Sequence, residues 1–394
     1  MGMNMKSITL SFVLLLYVSI KTAQSSDGVF DVTTYGAKPN ADITQILDKA
    51  WKDACASPIQ SKLIIPKETY TLGVITLLGP CKSPIDIVVQ GTIMAPVDIT
   101  GDGWIQFRYV DKISLTGGGV FDGQGQKAWE RNDCHKNPKC ARIPMSLKFS
   151  FVKDSIVRDI TSKDSKNFHV NILGCKNLTF DHVTINAPGT SINSDGIHMG
   201  RCDGVNIINS VIGTGDDCIS LGDGSREVTI TNVTCGPGHG ISVGSLGQYL
   251  VEEPVAGLYV KNCTLIGTTN GLRIKTWPAS PATGSVTDMH YEDIVLVDVQ
   301  NPIILDQEYC PYNKCNRKIP SKIKISKVSF KNIRGSAGNA VAVKLLCSAD
   351  YPCEDVTLSD IDITYTGREG PVVSECSNVK PVVTGIQKPI ICPS

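Results

Sequence analysis

A short pattern of polar and apolar positions recurs six times between residues 195 and 344. Each copy begins with a polar residue and a small one, and two apolar residues separated by one position follow. The copies are Asp195–Gly200, Asp217–Gly222, His239–Gly244, Asn270–Lys275, Asn301–Asp306 and Asn339–Lys344. A second alternating pattern accompanies them at 175–185, 202–212, 225–235, 255–265, 286–296 and 353–363. Two short strands per repeat with turn residues at the joins are typical of a parallel β-solenoid.

The repeat predicts how the coils stack. Each coil lays its strands on those of the coil below at ~4.8 Å, so that backbone hydrogen bonds join the coils and the apolar positions build a continuous interior. We therefore expect an all-β fold, a right-handed parallel β-helix, as a single domain over residues 26–394. Residues 46–56 have apolar side chains at helical spacing instead. They predict a short helix that caps the open N-terminal end of the solenoid.

The N-terminus has the layout of a secretory signal. Lys6 precedes an apolar run from Ile8 to Ile20, and small residues follow around Ala23. This order predicts a signal peptide over residues 1–25. A membrane anchor is the alternative, but the run is short for a bilayer.

All fifteen cysteines lie beyond this signal, where an oxidising compartment favours disulfides. Local spacing predicts the pairs Cys55/Cys81, Cys134/Cys140, Cys218/Cys235, Cys310/Cys315, Cys347/Cys353 and Cys376/Cys392. Cys175, Cys202 and Cys263 remain, and the odd number leaves at least one free thiol. A zinc site is disfavoured because the chain lacks paired CxxC motifs and histidines at ligand spacing. The 38 basic and 38 acidic residues balance, and no basic tract suggests nucleic acid.

Because equivalent positions stack, the repeat predicts which side chains meet. Asp195, Asp217 and His239 hold the same position on three consecutive coils, and Asp216 lies beside Asp217. One coil further on, two cations separated by one residue project from the same face of a strand; they are Arg273 and Lys275. The stacked position lies two residues before an apolar residue that is expected to be buried, so strand alternation alone would point its side chain into the interior. We therefore expect a bend at each strand start, permitted by the adjacent glycines, to turn these side chains outward.

Four motifs of this column resemble the signature of the polygalacturonases of glycoside hydrolase family 28. They are Asn193-Ser194-Asp195, Gly215-Asp216-Asp217, Gly238-His239-Gly240 and Arg273-Ile274-Lys275. Tyr309 in DQEYC resembles the family's substrate-contacting tyrosine, and GIHMG and PGHGISVGSLG resemble the pollen-type exopolygalacturonases of plants. Ser194 departs from the usual threonine but keeps the hydroxyl.

The resemblance implies a secreted, extracellular hydrolase of the plant cell wall. It would cleave the α-1,4-galacturonosidic bonds of polygalacturonate with inversion, as an exo enzyme acting from the non-reducing end. Asp216 would be the general acid, Asp195 and Asp217 would hold the water, and His239 would tune the acid's proton or hold a sugar hydroxyl. Substrate would contact Asn193, Gly240, Arg273, Lys275 and Tyr309. We expect no metal, no cofactor, no membrane or nucleic-acid partner, and a monomer.

General chemistry agrees with this reading. Glycoside hydrolysis takes a protonated acid and a carboxylate that activates water, and packing carboxylates together raises the pKa of at least one of them. Arg273 and Lys275, as exposed strand cations, offer charge-assisted bonds to a uronate and are expected to contribute little to stability. An insertion at 126–143 with Cys134 and Cys140 is expected to close one end of the groove.

Other functions remain open at this level. They are an endo-polygalacturonase, a calcium-dependent pectate lyase, whose metal the paired cations would repel, and a non-catalytic wall-binding solenoid, which needs no carboxylates. The remaining histidines and two glycine-flanked acids receive no role; they are His135, His169, His182, His198, His290, Asp122 and Asp223.

Overall fold

The computed structural model describes residues 28–134, 136–137 and 140–393. The predicted signal peptide and His135 lie outside these residues. Parallel strands of successive coils stack into two sheets, one of 11 strands and one of 20. We call them the site sheet and the outer sheet. The predicted parallel β-helix is confirmed.

Along the chain, one or two strands of the outer sheet follow each strand of the site sheet. The site sheet contains Ile75–Leu78, Gly103–Arg108, Met145–Ser150, Val170–Leu173, Ile197–Gly200, Ile219–Leu221, Ile241–Leu246, Asn270–Thr276, Asn301–Asp306, Val341–Leu346 and Val373–Ser377. The outer sheet contains Val29–Asp31, Ser61–Ile65, Thr69–Thr71, Ile85–Val89, Thr92–Met94, Ile113–Thr116, Val120–Asp122, Lys153–Arg158, Thr161–Lys163, Lys176–Asp181, Thr184–Asn186, Asp203–Ile208, Val211–Gly213, Arg226–Thr231, Thr234–Cys235, Val255–Ile266, Gly284–Val299, Ile323–Ala337, Glu354–Thr364 and Val382–Lys388.

The register of the site sheet follows the sequence repeat. One column of apolar side chains runs through six coils and is fully buried; it consists of Ile197, Ile219, Ile241, Leu272, Ile303 and Val343. Each residue is the direct partner of the next across parallel strands. The repeated apolar positions thus form a continuous interior, as the pattern predicts.

The first three copies of the second sequence pattern, over residues 175–235, each form two strands, where one was expected. A residue with positive φ separates the two strands in each of these coils, as at His182, Asn209 and Asn232. Asn232 Nδ2 donates to Asn209 Oδ1 at 2.9 Å, and Asn209 Nδ2 donates to Asp181 Oδ1 at 2.9 Å. Asparagine tolerates the left-handed conformation and can bond its counterpart on the next coil, so the bend repeats.

The N-terminal end carries the predicted cap. The helix Thr44–Ala56 buries Leu47, Ala50, Trp51 and Ala54 against the first coils. Trp51 Nε1 donates to Leu78 O at 3.1 Å, and the disulfide Cys55–Cys81 joins the helix end to the solenoid. A second helix, Gln126–Arg131, lies in the insertion, and single 3-10 turns occur at Val32–Tyr35 and Pro311–Asn313.

All six predicted disulfides are formed. Cys175, Cys202 and Cys263 are buried free thiols. Within the residues described, no helix is both long and apolar enough to cross a membrane.

Candidate active site

The three stacked positions lie just before strands of the site sheet. Asp195, Asp217 and His239 each stand two residues ahead of a strand, which begins at Ile197, Ile219 or Ile241. Strand alternation therefore does not apply to these three residues. As expected, their side chains reach the face of the site sheet that points away from the interior. Asp195 Oδ2 accepts a hydrogen bond of 2.8 Å from the outward-facing Ser220.

Asp217 is the most strongly bonded of the three carboxylates. Its Oδ1 accepts bonds from Ser242 Oγ at 2.8 Å and Arg273 Nη2 at 2.7 Å. Lys275 Nζ donates to its Oδ2 at 2.7 Å. Burial tends to raise the pKa of this carboxyl, but Lys275 and Arg273 outweigh it and lower the pKa to about 2. The two bonded cations therefore favour the ionised form of Asp217.

The expectation of exposed cations at Arg273 and Lys275 is wrong. Their side chains are 13% and 9% exposed and are ion-paired with Asp217, whose side chain is 3% exposed. Strand alternation predicts the face from which a side chain projects, but it does not predict how deeply neighbouring coils cover that face. Two cations facing one carboxylate still leave one positive charge for an anionic ligand.

Asp195 has the opposite electrostatic environment. Its pKa is raised well above the usual range, first by burial and then by the nearby charges of Asp216 and Asp217. The expectation that crowding raises one carboxyl pKa is therefore met at Asp195, where burial and the neighbouring charges favour the protonated form.

Asp216 is the most open of the three carboxylates. Its side chain is 29% exposed, and its Oδ1 lies 3.1 Å from His239 Nδ1. The backbone N–H of Asp217 donates to the same oxygen at 2.8 Å. The carboxylate can therefore meet a ligand in the groove while the imidazole orients it.

Ser194 builds the turn that presents Asp216. Its buried Oγ accepts from Gly215 N at 3.0 Å and donates to Ser191 O at 3.0 Å. A Cβ at Gly215 would lie 1.9 Å from Ser191 O, so only glycine fits between the coils. The hydroxyl shared by serine and threonine is thus the feature that the turn uses.

Side chains on both sides of the cluster border the groove. Asn193 Nδ2 donates to Asn167 Oδ1 at 2.6 Å, and both residues line a cleft of about 730 Å³ together with Arg142. Beyond the cations, the Tyr309 ring centre lies 5.5 Å from Lys275 Nζ. Asn193 and Tyr309 therefore stand at opposite ends of the predicted site.

Gly240 contributes only its backbone. Its φ is +75°, and a Cβ there would lie 2.1 Å from Asn270 O. Its carbonyl accepts from Cys218 N at 2.8 Å, which joins two coils directly beneath His239.

Asp216, Asp217 and His239 offer ligand atoms that all lie within 4.8 Å of one another. A cation held there would face Arg273 and Lys275, which already occupy the oxygens of Asp217. The arrangement suits proton transfer and recognition of an anion better than it suits a metal ion.

Residues 55–388 match the family described as glycosyl hydrolases family 28. The chain belongs to this family. It is 57% identical over 355 residues to an exopolygalacturonase of Oenothera organensis, and the match covers 89% of this chain and 98% of the relative. A polygalacturonase of Medicago sativa is 52% identical over 389 residues, which cover 97% of this chain and 92% of the relative.

Solved structures share the fold of this family 28 enzyme. An endo-xylogalacturonan hydrolase from Aspergillus tubingensis superposes with a TM-score of 0.76 at 24% identity, covering 91% of this chain and 100% of that one. A polygalacturonase from Erwinia carotovora ssp. carotovora gives a TM-score of 0.67 at 21% identity, with 88% and 97% covered. The prediction of a β-helical glycoside hydrolase of the polygalacturonase type is confirmed.

Sequence reasoning missed two hydroxyls and one histidine beside the carboxylates. Ser220 and Ser242 bond the two buried carboxylates, and His198 Nδ1 lies 2.7 Å from Ser220 Oγ. The four residues His198, Ser220, Ser242 and Arg273 are register partners on consecutive strands. Aligning the repeat at its fourth position, as well as its first, would have found this column.

The other acids and histidines without a predicted role lie elsewhere. His169 is buried inside the coil, where its Nδ1 is 2.9 Å from Ser162 Oγ. Asp122 accepts a turn bond from Gln124 N at 3.1 Å, and Asp223 pairs with Arg201.

Proposed function

We propose that this family 28 polygalacturonase is a secreted exo enzyme. It hydrolyses α-1,4-galacturonosidic bonds of polygalacturonate from the non-reducing end and inverts the anomeric configuration. The observation that carries the proposal is the division within the carboxylate cluster: Asp217 is ion-paired with two cations, Asp195 is buried with a raised pKa, and Asp216 is open to the groove. The relative from Oenothera organensis, named an exopolygalacturonase, supports the exo assignment.

The three environments suggest a division of roles. Asp217 is held as an anion by two cations and cannot supply a proton, so we assign the general acid to the open Asp216. Its O–H proton passes to the leaving glycosidic oxygen as the bond to the anomeric carbon breaks. Water attacks the opposite face of that carbon, which inverts the configuration.

Asp195 and Asp217 orient the attacking water in this scheme. The water's proton goes to Asp195, because a carboxyl with a raised pKa is the stronger base when it is ionised. The active form therefore has Asp195 ionised and the cluster's proton on Asp216. His239, bonded to Asp216, orients the acid.

Substrate binding follows from the charges that border the cluster. The excess positive charge of Arg273 and Lys275 attracts a uronate carboxylate. Asn193 and Tyr309 contact sugars on either side, and Gly240 allows close approach of backbone. No cofactor is required.

Exo action is supported by the insertion at 126–143. Its helix Gln126–Arg131 and its disulfide Cys134–Cys140 stand on the Asn193 side of the site, and the two cysteines line the same cleft as Asn193. A wall there would admit only a chain end. Relatives named simply polygalacturonase leave endo action as the alternative.

We further propose that residues 26–394 form a single catalytic domain. This domain is a monomer and is secreted to the plant cell wall. Six disulfides are suited to an oxidising compartment.

Product analysis on polygalacturonate with excess chelator tests the proposal. We expect saturated galacturonate monomer as the early product. Mixed oligomers with a rapid fall in viscosity would show endo action. An unsaturated, ultraviolet-absorbing product that disappears with chelator would show a lyase, and absence of any product would leave a binding solenoid.

A further inference from the structure

A hydrogen-bond chain leads from the carboxylate cluster to a histidine that the proposed mechanism does not use. His198 Nδ1 lies 2.7 Å from Ser220 Oγ, and Ser220 Oγ lies 2.8 Å from Asp195 Oδ2. His198 and Ser220 are direct partners on adjacent strands of the site sheet. Both stand between buried neighbours and project outward. The stacking of two coils therefore connects the imidazole to the carboxyl through one hydroxyl.

A matching chain on the next coil has a fixed direction. Arg273 Nε donates to Ser242 Oγ at 3.1 Å, and Ser242 Oγ donates to Asp217 Oδ1 at 2.8 Å. Arginine can only donate, and a hydroxyl has one proton, so the proton of Ser242 always points to Asp217. This chain stabilises only the ionised carboxylate.

The chain at Asp195 can run in either direction. With the proton on Nδ1, His198 donates to Ser220, and Ser220 donates to an ionised Asp195. With the proton on Nε2, a protonated Asp195 donates to Ser220, and Ser220 donates to Nδ1. Asp195 Oδ2 therefore keeps its hydrogen bond with Ser220 in both protonation states of the carboxyl.

We propose that His198 and Ser220 form a reversible relay that positions Asp195 and lets this carboxyl hold and release its proton. His198 is a positioning residue, since it acts on the reacting atoms only through Ser220 and Asp195. The inference rests on the proposed role of Asp195 as the acceptor of the water's proton. Asp217, whose chain cannot reverse, stays ionised throughout.

The surroundings keep His198 neutral. Burial lowers its pKa to about 4, against the weaker opposing effects of Asp217 and Asp223, while Lys275 lowers it further. The Phe168 ring lies 4.9 Å from the imidazole, centre to centre, and the uncharged Asn171 is its partner on the preceding strand. As Asp195 takes up the proton of the attacking water, the imidazole gives up its Nδ1 proton to solvent water and takes up one at Nε2, so the hydrogen bonds reverse and His198 is neutral in both states.

Replacing either relay residue gives the primary test. His198→Phe removes Nδ1 but keeps a flat ring against Phe168, and Ser220→Ala removes the hydroxyl. An ionised carboxylate gains more from a donor than a neutral carboxyl does. We therefore expect the acid limb of the kcat/KM profile on polygalacturonate to move up by about half to one pH unit in each variant.

Three further variants separate a relay from a structural effect. The acid limb of the double variant should shift no more than that of either single variant, because each single substitution already breaks the same hydrogen-bond chain. His198→Asn places an amide near the Nδ1 position and should restore most of the profile. The matched control is His290→Phe, since His290 Nδ1 also lies 2.6 Å from a serine, Ser329, but on the outer sheet; its profile should equal that of the wild type.

A second readout needs no substrate. The raised pKa of Asp195 means that the folded state binds more protons than the unfolded state above the ordinary carboxyl range, so stability falls there as pH rises. This fall should be larger in His198→Phe and Ser220→Ala. Denaturant unfolding of the full chain at a series of pH values measures it, even if polygalacturonate is not the substrate.

The outcomes are distinct. Absence of hydrolysis by the wild-type protein would overturn the proposed function, while the unfolding series still tests the relay. Unchanged profiles in both folded variants, additive shifts in the double variant, or an equal shift in His290→Phe would overturn the relay. If His198→Phe does not fold, Ser220→Ala compared with the wild type decides by the same criteria.

Discussion

Three aspartates of one chemical type acquire different properties within a few ångströms. Two cations bond Asp217 and lower its pKa, burial beside two anions raises the pKa of Asp195, and Asp216 keeps access to the groove. Acid and base roles arise when environments separate groups of the same type in this way.

Asp216→Asn should abolish most activity without affecting the fold. The amide keeps the shape but cannot give up a proton, so kcat/KM should fall by about 10² to 10⁴. The loss should be smaller for an artificial substrate whose leaving group needs no proton. Proton NMR of fresh product from the wild type should show the inverted anomer; a retained anomer would make one carboxylate a nucleophile.

Lys275→Ala should destabilise the protein as well as weaken substrate binding. It removes a charge-assisted bond from a nearly buried carboxylate, which costs about 1.5–3 kcal/mol in free energy of unfolding. Urea unfolding measures the loss. Lys324→Ala is the matched control, because its 2.7 Å pair with Glu354 is well exposed and should contribute less than about 1 kcal/mol. Equal effects would mean that the burial of Lys275 has no energetic consequence.

At the scale of single elements, turns between strands decide where the chemistry occurs. The turn that ends at Asp216 passes close to Ser191, and its position depends on the hydroxyl of Ser194. The cap helix acts differently, since Trp51 closes the interior and has no contact with the cluster.

Gly215→Ala should lower both stability and activity. The new Cβ would meet Ser191 O at 1.9 Å, so the turn must move at a cost on the order of 1–3 kcal/mol. Gly200→Ala, at the end of a strand of the site sheet, is the control, because its Cβ would meet nothing closer than 3.7 Å. Thermal unfolding and kcat/KM on polygalacturonate check both; normal activity in Gly215→Ala would show that the turn has room to adjust.

Trp51→Ala should reduce stability by about 3–5 kcal/mol, the usual cost of deleting a large buried aromatic side chain. Because the cap lies away from the carboxylates, KM of the folded fraction should not change. Denaturant unfolding and steady-state kinetics check the two statements separately, and a raised KM would imply that the cap is coupled to the site.

For the whole molecule, the cluster makes the free energy of unfolding fall both when pH is lowered and when pH is raised. The folded-state pKa of Asp217 is lowered from 3.8 to about 2, so its contribution is present above the unfolded value and is lost as pH falls through this window. Asp195, with a raised pKa, acts in the opposite sense as pH rises above 3.8. The two effects together favour a stability maximum in mildly acidic solution.

Asp217→Asn should flatten the acid side of this profile. The ionisable group that binds a proton on unfolding is gone, so about 2 kcal/mol of the change between pH 4 and pH 2 should disappear. Urea unfolding at closely spaced pH values measures the slope. A slope equal to that of the wild type would assign the acid sensitivity to other carboxylates.

The sequence by itself determined the solenoid, the column and the cap, because period-2 alternation and stacked equivalent positions follow from local chemistry. Asp195, Asp217 and His239 were found in this way, and the disulfide pairs were found from the local spacing of the cysteines. The division of the second pattern into two strands escaped notice, since a left-handed residue such as Asn209 is compatible with several local structures.

Only the tertiary structure decided how the column is charged and bonded. The pairing of Lys275 with Asp217 and the chain from His198 through Ser220 to Asp195 cross from one coil to another, between residues 22 to 58 positions apart. Burial and hydrogen-bond direction at these positions depend on how coils cover one another. The alternation of a single strand does not show how deeply a side chain is buried by neighbouring coils. The residue types and the face of the column were therefore predictable, while the charges and hydrogen-bond partners of its carboxylates were not.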